Sequence, residues 1–198
     1  MNTTQPLPLE NHVIRILDTL FAALGLVALS PIILILYVMG LRDTGSPLFR
    51  QTRVGKDQKP FILLKFRTMK VGTASVGSHM ADAAAITKFG GFLRSSKLDE
   101  LPQLVNVLKG EMSLVGYRPC LENQTQLIQE RSSSNVFRSL PGITGLGQIK
   151  GVDMSTPRKL AKLDMLMQKH MGLCLYIRLI IATVSGAGRG DKVITAAN

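Results

Sequence analysis

"TLFAALGLVALSPIILILYVMGL", residues 19 to 41, carries no charge and is longer than the ~20 residues an α-helix needs to cross the hydrocarbon core of a bilayer. The stretch therefore reads as a membrane segment. A cleaved signal peptide fits less well, because Glu10 and Asp18 spoil a basic leader and no small-x-small cleavage site precedes a mature start. The middle of the run holds Ser30-Pro31. Proline lacks an N–H and its ring crowds the carbonyl of Val27, while Ser30 can bond back to the carbonyl of Leu26, so the pair predicts a bend. Two paths are open: a kinked helix that spans the membrane, or a helix-break-helix that dips in and returns to the same face. Transmembrane helices tolerate proline, which favours spanning in general. Beyond the run, Arg42, Arg50, Arg53, Lys56, Lys59, Lys65, Arg67 and Lys70 stand against Asp43 and Asp57, which puts this flank on the cytoplasmic side. The N-terminal flank offers Arg15 and little else.

Working outward, the chain of 198 residues is long enough for one domain with a sizeable core, and no linker or repeat divides it. Residues 1–41 are read as the N-terminal segment and membrane helix, and 42–198 as the cytoplasmic part of the same domain. With 24 Lys+Arg against 13 Asp+Glu the formal charge is +11, which favours an anionic partner: nucleic acid, acidic lipid or a phosphate-bearing substrate. Cys120 and Cys174 form no CxxC, and His12, His79 and His170 have no metal-ligand spacing, so neither a disulfide framework nor a zinc site is expected. Short extended pieces are predicted near Leu48–Gln51 and Phe61–Phe66, around a Gly/Asp/Pro turn. Helical periodicity follows over Ala81–Leu93, and again from Leu98 to Leu108, where Lys109-Gly110 stops it. "SLVGYRPC" (113–120) and "LPGITGLGQIKG" (140–151) read as loops. Two later helices are predicted, Thr156–His170 and Leu173–Val184, the second either interfacial or core. The class is mainly α with a small β component.

"SSKLDELPQL", residues 95 to 104, sets Asp99 and Glu100 side by side ahead of Pro102. On a helix neighbours point about 100° apart, so the pair can share a ligand only at a helix end. With Asp99 at the N-cap, Pro102 falls in the first turn, where its missing N–H costs little. The plain reading is a Ser96-x-x-Asp99 capping pattern that offsets the helix dipole. The functional reading is a carboxylate nucleophile toward phosphorus, with its neighbour holding a divalent cation that screens an anionic substrate.

These residues carry a resemblance. The chain resembles the bacterial sugar transferases of the monotopic phosphoglycosyl transferase family. The likeness covers the apolar segment with Ser30-Pro31, "LFRQTRVGKDQKPFILLKFRTMK", "GGFLRSSKLDELPQLVNVLKGEMSLVGYRP", "LPGITGLGQI" and the helix carrying Asp164, in family order. It implies transfer of a sugar 1-phosphate from a UDP-sugar to undecaprenyl phosphate, with UMP released. Asp99 would attack the phosphate next to the sugar to form an aspartyl-phosphosugar intermediate, and Glu100 would help Asp99 hold Mg²⁺. Arg94 and Arg118 match the family's phosphate-contacting arginines, and Lys65 and Arg67 of "KFRTM" belong to the same basic motif. The segment broken at Ser30 and Pro31 would be re-entrant, making a monotopic protein of the bacterial inner (cytoplasmic) membrane. Interfacial amphipathic helices would accompany it, and the active site would face the cytoplasm. The expected partners are the UDP-sugar, undecaprenyl phosphate and membrane lipid; a homodimer is compatible, and an N-acetylated hexosamine or its deoxy derivative is the expected sugar. The chain would rank among the short members of the family. Tyr117 stands where the family commonly has proline, Cys120 follows "YRP", and Lys150 to Asp153 departs from the usual Asn-Gly-Arg, so no role transfers to those positions.

The alternative is a basic membrane-tethered protein that binds or scaffolds without chemistry. Nucleic acid is a poor partner for it: there is no Trp, only 5% of residues are aromatic, and no recognition motif occurs. Plain readings suffice for His79 as a solvated residue, His170 at a helix C-terminus, Cys120 and Cys174 as buried thiols, and Asp18 as the i,i+3 partner of Arg15.

Overall fold

A computed structural model describes residues 9–73 and 83–188. The described chain is mostly helical, with two small two-stranded sheets. Helix α1 (Leu9–Thr44) is followed by the antiparallel hairpin of β1 (Leu48–Val54) and β2 (Pro60–Phe66), in which Leu48 pairs with Phe66 and Val54 with Pro60. Then come α2 (Lys88–Ser96), α3 (Gln103–Lys109), β3 (Ser113–Val115), α4 (Thr125–Ser133), β4 (Gly142–Thr144), α5 (Leu146–Ile149), α6 (Pro157–Lys169) and α7 (Leu173–Val184).

α1 is helical on both sides of Ser30-Pro31 with no interruption between them, so the expected break is not a gap in the helix. Proline at 31 cannot donate to the carbonyl of Val27, and Ser30 Oγ donates to that carbonyl instead, at 2.8 Å. The partner is Val27 rather than the expected Leu26, which leaves no orphaned acceptor in an apolar setting. One stripe of α1 faces the rest of the protein. Ile14 packs with Val115, Met167, Tyr176 and Leu179, Ala22 with Phe61, Val107 and Met112, and Leu36 with Phe66 and Leu93. The remainder is apolar and exposed, with Val27 at 75% and Leu34 at 63%.

Both ends of α1 are tied to the same body. Arg15 donates to the carbonyls of Val107 (2.7 Å) and Met112 (3.1 Å). Asp18 Oδ1 accepts from Ser113 Oγ (3.0 Å), the Leu114 N–H (2.8 Å) and Tyr176 O–H (2.8 Å). Its ion pair with Arg15 exists but is long, at 3.8 Å, so Asp18 is chiefly a buried clasp joining α1, β3 and α7. At the far end Thr87 Oγ1 donates to Asp43 Oδ2 at 2.7 Å.

Several local expectations are corrected. Of the helix expected over 81–93, residues 81 and 82 lie outside the described residues, as does His79. α2 itself starts only at Lys88, because Thr87 caps it by accepting from the Gly90 N–H at 2.8 Å. Gly90 is required there: a Cβ would stand 2.0 Å from the Thr68 carbonyl oxygen, so only glycine lets α2 lie against the end of β2. "SLVGYRPC" and "LPGITGLGQIKG" are not merely loops, since Ser113 and Val115 pair in parallel with Gly142 and Thr144. α4 had no counterpart in the sequence reading. Cys120 is buried, but Cys174 is exposed on the outer side of α7. α7 is both core and surface: Tyr176 and Leu179 are buried, while Ile181 and Val184 are exposed.

Candidate active site

Asp99 is not a helix N-cap. α2 ends at Ser96 and is capped by Lys97, whose backbone is left-handed (φ 59°, ψ 14°), and the chain then makes a single 3₁₀ turn over Leu98–Glu100 before α3 begins after Pro102. The Ser96-x-x-Asp99 box is not made: Ser96 Oγ donates back to the carbonyls of Phe92 (2.8 Å) and Leu93 (3.2 Å) in α2. The tight turn sends Asp99 inward, to 8% exposure, and leaves Glu100 half-buried beside it. Both line one pocket with Arg94, Lys97 and Arg118.

The two arginines reach this pocket from different elements. Arg94 projects from α2; its Nε donates to Thr68 Oγ1 at 2.9 Å, and its Nη1 is buried with no hydrogen-bond partner. A buried guanidinium nitrogen without an acceptor is costly on its own, and an anionic ligand would satisfy it. Arg118 lies 3.5 Å from Glu100 Oε1. Its carbonyl accepts from Arg131 Nη1 (2.9 Å), and Arg131 is held by Asp164 Oδ2 at 2.7 and 3.0 Å, a pair buried from solvent. The Arg131 guanidinium also sits 4.9 Å over the Tyr117 ring, which meets Phe137 edge-on at 5.5 Å. Tyr117 and Cys120, unassigned from sequence, thus support the loop: Tyr117 beneath Arg131, and Cys120 through its carbonyl, which accepts from the Val54 N–H at 2.9 Å.

Lys65 is pushed down to about 8 by burial; the Asp99 carboxylate opposes that shift, and Arg53, Arg118 and Arg94 add to it. Lys65 therefore feels Asp99 and the same arginines, which groups it with the pocket. Arg67 is not brought there. Its guanidinium donates to the Ser46 carbonyl (2.8 Å), Ser46 Oγ (3.3 Å) and the Leu48 carbonyl (3.4 Å), and stacks over Phe49 at 5.3 Å, holding the turn that leaves α1. Ser30 and Pro31 lie on exposed α1 and serve the membrane segment rather than the pocket.

The opposite wall was not singled out from sequence. Thr144 follows from β4, Gln148 from α5 and Thr183 from α7, all lining the same pocket. Thr144 and Thr183 share a hydroxyl hydrogen bond of 2.6 Å. Gln148 Nε2 donates to the Ile143 carbonyl at 3.2 Å, while its Oε1 is buried without a partner. Gln148 lay within the quoted "LPGITGLGQI" block; Thr183 sits in an apolar helix with no motif to mark it.

For a metal, no group of three or more His, Cys, Asp or Glu occurs among the described residues. Asp99 and Glu100 supply two carboxylates at the pocket. That donor set fits Mg²⁺, which keeps several waters and binds through one or two carboxylates plus substrate phosphates.

The sequence profile of bacterial sugar transferases matches residues 9–189, from α1 through the rear wall of the pocket. The chain belongs to the bacterial sugar transferase family. Among similar members, the uncharacterized sugar transferase EpsL of Bacillus subtilis is 37% identical over 174 residues, covering 87% of this chain and 86% of its own length. An uncharacterized sugar transferase of Haemophilus influenzae is 38% identical over 154 residues, covering 69% of this chain and 32% of its own. A UDP-glucose:undecaprenyl-phosphate glucose-1-phosphate transferase of Klebsiella pneumoniae is 36% identical over 180 residues, covering 86% and 39%. This sugar transferase chain thus spans about a third of the first-named longer relative and most of EpsL.

Proposed function

We propose that this sugar transferase moves a sugar 1-phosphate from a UDP-sugar to undecaprenyl phosphate, releasing UMP, with Asp99 as the nucleophile. The observation that carries this reading is a buried carboxylate in a ring of cations, one of which, Arg94, keeps an unpartnered buried nitrogen. The names of several relatives, including the Klebsiella transferase, supply the donor and acceptor class.

In the first half-reaction an Asp99 carboxylate oxygen bonds to the phosphorus that carries the sugar. The bond from that phosphorus to the UMP oxygen breaks, and UMP leaves with the electron pair. In the second, a phosphate oxygen of undecaprenyl phosphate attacks the same phosphorus and the Asp99–phosphorus bond breaks. Undecaprenyl-diphosphate-sugar forms and the carboxylate is regenerated. Arg94, Arg118 and Lys65 bind and orient the diphosphate and stabilise charge as it develops. The Asp164–Arg131 pair fixes the Arg118 backbone and so the aim of its side chain. Mg²⁺ held by Glu100 and Asp99 would neutralise charge on the diphosphate.

Membrane placement belongs to the same reading. Arg15 and Asp18 near the start of α1 and Asp43 near its end bond to one body, which argues for a helix that enters and returns on one face rather than one that crosses. The exposed apolar stretch around Val27 would then be the part held in lipid, and the basic flank after Leu41 supports a body on the cytoplasmic face of the inner membrane. The first test is UMP release by nanodisc-held protein given undecaprenyl phosphate, Mg²⁺ and a panel of UDP-sugars: glucose and galactose, which the relatives' names carry, and N-acetylhexosamines. Release with one donor and none from Asp99→Asn is expected. Full release from that variant would remove Asp99 as nucleophile.

A further inference from the structure

Beside the catalytic pocket runs a second concavity of opposite character. Its walls are Leu101 after the 3₁₀ turn, Leu104 of α3, Leu114 of β3, Ile143 of β4, and Ile180 and Val184 of α7. At ≈ 200 Å³ it is smaller than a pocket that encloses a whole drug-sized ligand, and it is open along one side, as a groove for part of a longer chain would be. It is not a separate cleft. Lys97, Glu100, Ile143, Thr144 and Thr183 line both it and the catalytic pocket, so the two share a wall that includes one of the two proposed catalytic carboxylates.

The far side of the groove meets the apolar surfaces of the molecule. Leu104 abuts α1 at Gly25, where an added Cβ would stand 3.3 Å from its Cδ1. Val184, on the opposite wall, is 80% exposed, and Ile181 beside it on α7 is exposed as well. A gradient results: arginines and carboxylates at one end, aliphatic side chains in the middle, the exposed apolar sides of α1 and α7 at the other.

A UDP-sugar cannot use this gradient. It is polar along its whole length, and burying its hydroxyls or phosphates between leucines and isoleucines would leave them without partners. An amphiphile with one anionic head and a branched apolar chain matches it end for end. Building on the reaction proposed above, we infer that this groove holds the first isoprene units of the acceptor. It would present the polyprenyl phosphate head to the Asp99-bound phosphosugar while the rest of the chain runs out along α7 and α1 into the bilayer.

The test uses the full chain in nanodiscs and a polyprenyl phosphate with a diazirine in its first isoprene units. After irradiation and digestion, label is expected on the peptides carrying Leu101 and Leu104 and those carrying Ile180 and Val184. Unlabelled undecaprenyl phosphate should compete it away, and excess phospholipid should not. Label confined to the outer face of α1, or displaced by phospholipid alone, would overturn the assignment. In parallel, Ile180→Trp fills the groove and Val184→Trp narrows its mouth from an exposed position that burdens folding little. Each should raise the acceptor KM at least tenfold more than the UDP-sugar KM; equal changes in both would count against the groove. UMP release is read on the same nanodiscs. Intact release with an unlabelled groove sinks this inference alone, whereas no release with any donor sinks the proposed reaction and the groove with it.

Discussion

The two walls of the catalytic pocket are made in different ways. One is nearly continuous in sequence: Arg94, Lys97, Asp99, Glu100 and Arg118 come from α2, the 3₁₀ turn and the loop after β3, and it is charged. The other gathers Thr144, Gln148 and Thr183 from β4, α5 and α7, and it is neutral. The charged wall is suited to hold a diphosphate and supply a nucleophile. The neutral wall gives the pocket its shape and, through Ile143 and Thr183, opens toward the apolar groove. Chemistry and shape are therefore separable here, and substitutions on the two walls should fail differently.

The largest effect is expected from Asp99→Asn on the charged wall. Loss of the attacking oxygen should cut UMP release by about a thousandfold or more while the protein still inserts and keeps its thermal transition. A comparable loss of activity from a neutral-wall variant would break the division. Next is Asp164→Ala, which strands the buried Arg131 guanidinium and should destabilise the fold by about 3–5 kcal/mol, read as a lowered Tm. On the proposed reaction, Arg94→Ala should lower kcat/KM by about a hundredfold with little change in Tm, because it removes a pocket cation whose buried nitrogen has no protein partner. The smallest effect is expected from Thr183→Val, which removes the hydroxyl hydrogen bonds to Thr144 and to the Leu179 carbonyl and should cost about 1–2 kcal/mol of stability. Its effect on KM should exceed its effect on kcat, and a kcat loss as deep as that of Arg94→Ala would place chemistry on the neutral wall.

How much of this could be read from the chain alone depended on distance along it. Asp99 and Glu100 stood out as adjacent carboxylates ahead of Pro102, Arg94 and Arg118 were marked by the family resemblance, and the structure brings all four to one pocket. Even there the local geometry was misread: Ser96 looked like the partner of a capping Asp99, but Pro102 delays α3, and the intervening 3₁₀ turn points Asp99 inward. Arg67 looked equivalent to Lys65, two residues earlier on the same strand face. The ladder with β1 puts Lys65 opposite Phe49, whereas Arg67 lies just past the strand end and turns to Ser46 and Leu48. β3 and β4 have three residues each, too few for an alternating pattern to emerge, and their parallel pairing depends on close approach at Gly142, where a Cβ would stand 2.0 Å from the Gly116 nitrogen.

By itself the sequence determined the membrane character of residues 19–41, the basic flank after them, the charged wall and the helical class, because charge, hydropathy and periodicity act over neighbouring residues. Only the tertiary structure decided that both ends of α1 fasten to one body. It alone made Asp18 a clasp, seated Arg131 and Asp164 beneath Arg118, and set an apolar groove against Glu100. Those outcomes depend on buried polar groups finding partners far away in the chain, and no local pattern encodes which partner lies within reach.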